Sequence, residues 1–288
     1  MAKFKKDNGA ELKLYNKDCI KGMAKLADNS VDVIVTSPPY NLGITYTKYN
    51  DKVQRHDYMR WMTRWAKAAM RVLKDDGSLF LNVGSKPSDL EVPYLLIAVM
   101  RKSGFEMQNV IHWVKSIAIN KQEVGNYPGI TKDIVVGHYK PINSNRFLND
   151  CHEYIFHLTK DGNVKLDRLA VGVPYQDKSN VGRWHNADRD VHCRGNTWFI
   201  PYDTINSSKE RPHPAAFPIE LPRRCIRLHG LERVKVVMDP FLGIGSSAVA
   251  CAELGTSFIG YEIDKVYFKQ ACERIRNFDI GNSFKEEC

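Results

Sequence analysis

The feature that most constrains how this chain folds is a strand, glycine loop, helix, strand and acid, in that order, near its C-terminal end. Residues 234–238 (VKVVM) are a valine-rich apolar run that predicts a buried strand. Asp239-Pro240-Phe241-Leu242-Gly243-Ile244-Gly245-Ser246-Ser247 follows as a loop, 248–254 reads as a helix stopped by Gly255, and 257–261 reads as a strand ending at Glu262. Glycines let backbone pass close to a ligand, and the helix behind them offers free N–H groups and a positive dipole end. Glu262 stands nineteen positions after Gly243, where an acid at the tip of the next strand can take both hydroxyls of a ribose. A Gly-x-Gly alone is a weak signal. With the strand–helix–strand frame and the acid, it points to a nucleoside-containing cofactor on an α/β sheet.

A second strand ends quite differently. Residues 31–35 (VDVIV) predict a buried strand that runs into Thr36-Ser37-Pro38-Pro39-Tyr40, with Asn41 behind. Neither proline has an N–H, and Pro39 pushes Pro38 towards an extended conformation, so no helix can begin there. The Ser37 and Pro38 carbonyls are thus left beside the Ser37 hydroxyl at a strand's carboxyl edge, and the Tyr40 ring follows. Acceptors next to a stacking surface suit a planar ring bearing an amino group. On the pentapeptide alone, an ordinary proline turn is an equal reading.

Ser-Pro-Pro-Tyr after an apolar strand resembles the catalytic motif of the DNA amino-methyltransferases, which methylate exocyclic amines using S-adenosylmethionine. That resemblance implies Ser37, Pro38, Pro39 and Tyr40 as the catalytic set. The serine form looks most like the N4-cytosine group, adenine-N6 enzymes usually carrying Asp or Asn at this position. Asp239-Pro240-Phe241 before the glycines resembles the family's cofactor loop, with Ile244 departing from the Ser or Ala often found there. By the same resemblance, Asp239 faces the methionine moiety, Gly243 and Gly245 line it, and Phe217, in Arg211-Pro212-His213-Pro214-Ala215-Ala216-Phe217-Pro218, packs on the adenine. A hydrophobic staple at a helix start is the alternative for Phe217. Asp18, in Asp18-Cys19, lies near the adenine end, or caps a helix, or both. Cys19, Thr36, Phe241, Ser246 and Glu262 complete the implied cofactor-binding set.

The catalytic motif precedes the cofactor loop, which resembles the permuted, β-type arrangement of these enzymes. The implied fold is an α/β, Rossmann-like methyltransferase fold: a mostly parallel seven-stranded sheet with helices on both faces. It would make residues 1–288 one catalytic domain, with a target-recognition region inserted over 160–210. Between the motifs, 11–15 reads as an edge strand, and 16–19 cap a short helix through 26. Residues 57–73 carry Tyr58, Met62, Trp65, Ala69 and Val72 at helical spacing, with Trp61 and Trp65 assigned to the core and Asp76-Gly77 as the stop. A strand over 77–84, a helix over 93–102 and strands over 105–113 and 152–158 follow, and 264–278 is a closing helix.

Three segments lack periodicity: 41–56, 115–151 and the stretch from 159 to about 217. The first mixes Tyr46, Lys48, Tyr49, Lys52 and Arg55, and could close over DNA or be simply solvated. The last interleaves Lys178, Arg183, Trp184, His185, Arg189, His192, Arg194, Lys209 and Arg211 with Trp198 and Phe199, as phosphate contact and base reading require. Arg183, Trp184 and Arg194 are the candidate DNA contacts, and Asn196-Thr197-Trp198-Phe199 resembles a family segment near the end of the recognition region.

A formal charge of +9 favours a polyanionic partner, and 43% apolar residues support a full core. The seven cysteines are odd in number and scattered without CxxC pairs, which fits reduced thiols in a cytoplasm. The N-terminal stretch has no apolar signal-like region, and no run approaches the roughly 18 apolar residues of a membrane span, so a cytoplasmic protein is expected. His185, His192 and Cys193 are neighbours, with His213 and Cys151 elsewhere, but the paired spacing of structural zinc is missing and no metal is expected. No cysteine sits in the Pro-Pro motif, which argues against thiolate-driven cytosine-C5 methylation. The resemblance to the amino-methyltransferases implies double-stranded DNA as a partner, with a second copy of the chain and a restriction endonuclease acting on the same site as further candidates. The competing readings are an adenine-N6 methyltransferase, a non-catalytic DNA-binding protein, and a nicotinamide oxidoreductase.

Overall fold

The computed structural model describes residues 1–43, 51–137, 144–183, 189–201 and 216–278. Tyr46, Lys48, Tyr49, Trp184, His185, Lys209, Arg211 and His213 lie outside the described residues. Nine strands form one sheet: β1 (Ala2–Lys5), β2 (Glu11–Asn16), β3 (Val31–Thr36), β4 (Leu73–Val83), β5 (Glu106–Val114), β8 (His152–Thr159), β9 (Thr197–Phe199), β10 (Val236–Asp239) and β11 (Ser257–Glu262). Two more, β6 (Ser116–Ile119) and β7 (Ile134–Gly137), pair antiparallel by themselves. The helices are α1 (Cys19–Met23), α2 (Arg55–Val72), α3 (Val92–Lys102), α4 (Glu220–His229), α5 (Ser246–Leu254) and α6 (Lys265–Asn277).

The strand order is β1-β2-β11-β10-β3-β4-β8-β5-β9. From β2 to β4 every neighbouring pair is parallel, and β8 then enters antiparallel between β4 and β5. These are the seven strands the resemblance implied, with one short strand added at each margin. Phe4 in β1 pairs opposite Leu12, so β2 is internal where an edge was expected. The four-residue alternation in β1 is too short to be legible without its partner. At the other margin β9 pairs parallel to β5, Trp113 opposite Trp198. That strand falls inside the 160–210 span, and the Trp198 side chain is buried.

Helices cover both faces, which is why β3 is buried at every position. Val33, Val35 and Phe80 point into one core with residues of α4, α5 and α6. Ile34, Leu79 and Leu81 point into the other, with α1, α2 and α3. That alternation is the two-residue period of a strand. The α2 stripe Tyr58, Met62, Trp65, Ala66, Ala69 and Val72 is fully inward. The chain leaves α2 at Leu73 and enters β4 at once, so Asp76 and Gly77 lie within a strand rather than at a helix stop. The reason is tertiary: Leu73 is buried and pairs with Val31, ahead of a register shift in which β4 carries the extra residues. Helix α1 likewise ends at Met23, short of the expected Leu26.

Candidate active site

Strand β10 lies beside β3, Val237 opposite Val33 and Met238 opposite Ile34. Their carboxyl ends therefore emerge side by side, although the residues are about two hundred positions apart. This is also where the chain's path through the sheet reverses, β4 following on one side of β3 and β11 on the other side of β10. Open α/β sheets bind ligands at that point. The junction is tied by a buried hydrogen bond from Thr36 Oγ1 to Asp239 Oδ1 at 2.6 Å. Asp32, four residues earlier in β3, accepts from the backbone N–H groups of Lys235 and Val236 at 2.9 and 2.7 Å.

Above this junction lies a cleft with a cavity volume of about 270 Å³. Of the residues singled out by sequence, Asp18, Cys19, Ser37, Pro38, Pro39, Tyr40, Phe217, Phe241, Gly243, Ser246 and Glu262 line it. Thr36, Asp239 and Gly245 do not; they sit just beneath the lining and hold it. Asp239 is buried, with its carboxylate accepting from Thr36, from the Phe241 N–H at 3.0 Å and from Ser247 Oγ at 2.6 Å. Burial pushes its carboxyl up to about 6, those three donors holding it lower than burial alone would. Gly245, at φ +88°, turns the chain into α5 in a conformation that a side chain would strain. Ser246 is then the first residue of α5, so the helix starts at the cleft wall.

Glu262 organises the opposite lip. Its carboxylate accepts from the Gly243 and Asp264 N–H groups, both at 2.8 Å, and thus closes the glycine loop onto the end of β11. Burial is the chief cause that raises its carboxyl to about 7, offset in part by those two donors. Asp18 caps α1 by accepting from the Lys21 N–H at 2.8 Å while also facing the cleft, so both of its readings hold together. Burial foremost, then the Asp18 charge, holds the Cys19 thiol far above its ordinary range, which leaves it inert as a nucleophile.

The Pro-Pro turn is held from three sides. Tyr58 Oη of α2 donates to the Pro39 carbonyl at 2.7 Å. Asn41, at φ +58°, exchanges two hydrogen bonds with the Val53 backbone, while Asp51 accepts from the Asn41 and Leu42 N–H groups at 2.8 and 3.0 Å. Tyr40 is only 8% exposed, and its hydroxyl lies 2.5 Å from Ser37 Oγ.

Several lining residues were missed from sequence. Trp61, assigned to the core, faces the cleft and packs against Phe241 with ring centroids 5.6 Å apart. It is one helical step off the buried stripe, which was the available signal. Lys17, Ala216, Pro240, Tyr261, Ile263 and Asp264, chain neighbours of residues that were singled out, also line the cleft, as does Tyr267 of α6. The candidate DNA contacts lie elsewhere. Arg194 Nε donates to the Val171 carbonyl at 2.9 Å, and exposed Arg183 bonds Asn180 at 3.1 Å. Trp184 is outside the described residues. Among the described residues no three His, Cys, Asp or Glu side chains gather to hold a metal, and no helix is long and apolar enough to cross a membrane.

This arrangement can seat a nucleoside between the Glu262 carboxylate and aromatic walls, with hydrogen-bond acceptors at the adjoining strand end. Comparison with known proteins agrees. A DNA methylase family model, covering N6 and N4 enzymes, matches residues 31–273. The chain is 27% identical over 263 residues to the Type II methyltransferase M.HpaI of Haemophilus parainfluenzae, covering 91% of this chain and 74% of that one. The PvuII DNA methyltransferase (cytosine-N4-specific) shares the fold with a TM-score of 0.64 at 19% identity, over 97% of this chain and 93% of that one. The structure of the M1.HpyAVI–SAM complex aligns with a TM-score of 0.53 at 19% identity, over 92% and 99%. Matched over most of its length and carrying both motifs on one cleft, the chain belongs to the N6/N4 DNA methylase family.

Proposed function

We propose that this DNA methyltransferase acts site-specifically on the exocyclic N4 amine of a cytosine flipped out of duplex DNA. The observation that carries the proposal is the shared cleft: the acceptors at Ser37 and Pro38 and the glycine loop at Gly243 adjoin across one hydrogen bond, Thr36 to Asp239. Serine at position 37 supports cytosine-N4 over adenine-N6.

S-adenosylmethionine is the methyl donor, and its sulfonium supplies an electrophilic methyl group. The residues present fit it. Glu262 would accept from the ribose hydroxyls, and Phe217, Phe241 and Trp61 offer apolar faces for the adenine. The α5 N-terminus, beginning at Ser246, would face the methionine end. Asp239 supports that end from beneath through Phe241 and Ser247 rather than by direct exposure.

A base inside a duplex cannot present its amino group, so flipping is required at a cost of a few kcal/mol. Tyr40 offers a ring against which the flipped base can rest. Ser37 Oγ and the Pro38 carbonyl accept from the amino group, which draws its lone pair out of ring conjugation and aims it at the methyl donor. No covalent intermediate is needed. Residues 160–210 are the proposed recognition region, with Arg183 and Arg194 as phosphate anchors, and a Type II relative supports a paired endonuclease of the same specificity. Modification-sensitive sequencing of DNA from a host expressing the chain tests the reading. N4-methylcytosine at one short motif is the expected result, N6-methyladenine would move the target to the other base of the family, and unmodified DNA would overturn the proposal.

A further inference from the structure

A buried polar chain leads away from Ser37, behind the cleft. Beyond its contact with Ser37, Tyr40 Oη approaches the Asn82 carbonyl at 3.1 Å and Glu153 Oε2 at 3.3 Å. That same Oε2 accepts from Asn82 Nδ2 at 2.9 Å, and Oε1 accepts from Lys115 Nζ at 3.1 Å. Lys115 and Glu153 are 15% and 14% exposed. Glu153 stands near the start of β8, the one antiparallel strand in the seven-stranded core, one residue before Tyr154, which pairs with Val83 of β4. A Cβ at Gly84 would come within 3.0 Å of Glu153 Cδ, so the glycine leaves the carboxylate its place.

We propose that Glu153, anchored by Lys115, sets the direction of the Tyr40–Ser37 hydrogen bond and thereby turns Ser37 into an acceptor for the substrate amine. This makes Glu153 a positioning residue, and it rests on the reading of Ser37 given above. A main-chain carbonyl and a carboxylate can only accept, and a phenol has one proton. The charged acceptor draws that proton, because hydrogen bonds to ionised groups are the stronger ones. Tyr40 Oη then has only acceptance to offer Ser37. Ser37 accordingly donates its single proton to Tyr40, and its lone pairs are left to face the cleft. Reversed, the Ser37 hydroxyl would point its proton at the amine and occupy the lone pair that must attack.

The test uses the full chain with Glu153→Gln, Tyr40→Phe and the double variant, followed by single-turnover methylation, cofactor titration and thermal melting. Glu153→Gln is expected to slow the single-turnover rate by about 10- to 100-fold, the effect of a lost charged hydrogen bond, with cofactor Kd and melting nearly unchanged. The double variant is expected to be no slower than the slower single one, because Glu153 acts only through the hydroxyl that Tyr40→Phe removes. An unchanged rate in Glu153→Gln, or losses that multiply in the double variant, would overturn the inference. Ser37→Ala measured alongside separates the two ideas: full activity there sinks the Ser37 reading, whereas a dead Ser37→Ala beside an unaffected Glu153→Gln sinks only the role of Glu153. Should Glu153→Gln melt early, Lys115→Gln carries the same comparison, since it releases the carboxylate without removing it.

Discussion

Cofactor affinity should depend on pH through Glu262, and the structure sets the midpoint. The carboxylate is held by two backbone N–H groups yet mostly buried, and burial raises it to about 7. Only the ionised form accepts from both ribose hydroxyls without surrendering an oxygen to its own proton. Apparent affinity is scaled by the fraction of protein in the competent state, about one tenth at pH 6 and about nine tenths at pH 8. Binding of S-adenosylmethionine should therefore tighten by about tenfold across that interval. Glu262→Gln should lose the dependence altogether. It should also weaken binding by about 10- to 100-fold, from replacing charged acceptors by neutral ones. The stability sign is opposite and offers a check. A carboxyl whose folded value exceeds its unfolded one stabilises the fold below the unfolded value, and that contribution is lost as pH rises towards 7. Without cofactor, the melting temperature of Glu262→Gln minus that of the parent should thus rise between pH 5 and 8. Isothermal titration at pH 6, 7 and 8 measures the first effect. A constant Kd in the parent, or the same slope in Glu262→Gln, would refute the reasoning.

Ser37→Ala should lower kcat by about 100-fold or more, the scale of one lost charge-stabilising contact in a transition state, with cofactor Kd within about twofold by titration. Tyr58→Phe removes the donor to the Pro39 carbonyl and should cost about 1 kcal/mol in denaturant unfolding, with a fall in kcat if the turn loosens. His157 and His229 share the Ser78 hydroxyl at 2.9 and 2.8 Å, and burial lowers them to about 3 and about 4. The unfolded chain takes up these protons near pH 6.5, the folded chain only near 4 and below, so the pair destabilises as pH falls. Raised Asp239 and Glu262 offset this down to about pH 4.5. Thermal melts should then hold nearly level before dropping steeply towards pH 3, and a steady decline from pH 6.5 would contradict that balance.

Much of the fold was legible because its signals are local. The stripe from Tyr58 to Val72, the buried run from Val31 to Val35 and the glycine loop each declare themselves within one element. Where the reading slipped, a distant partner was deciding. Leu73 became extended because it pairs with Val31. Strand β2 ceased to be an edge because four residues at the N-terminus found it. Trp61 looked like its neighbour Trp65, and both rings pack against Phe241, yet Trp65 is fully buried in the core whereas Trp61 lines the cleft.

The site divides the same way. Sequence alone determined which residue types could hold a nucleoside and which could accept from an amine, because glycine spacing, a strand-tip acid and a Pro-Pro stop are properties of short segments. Tertiary structure decided that these segments meet. The parallel pairing of β10 with β3 aligns the two strand ends, and Thr36 and Asp239, 203 positions apart, close the seam with a buried hydrogen bond. It also decided that Asp239 supports the cleft from below and that Glu153 stands behind Tyr40. No local pattern encodes either, since each depends on which strand lies alongside and which way it runs.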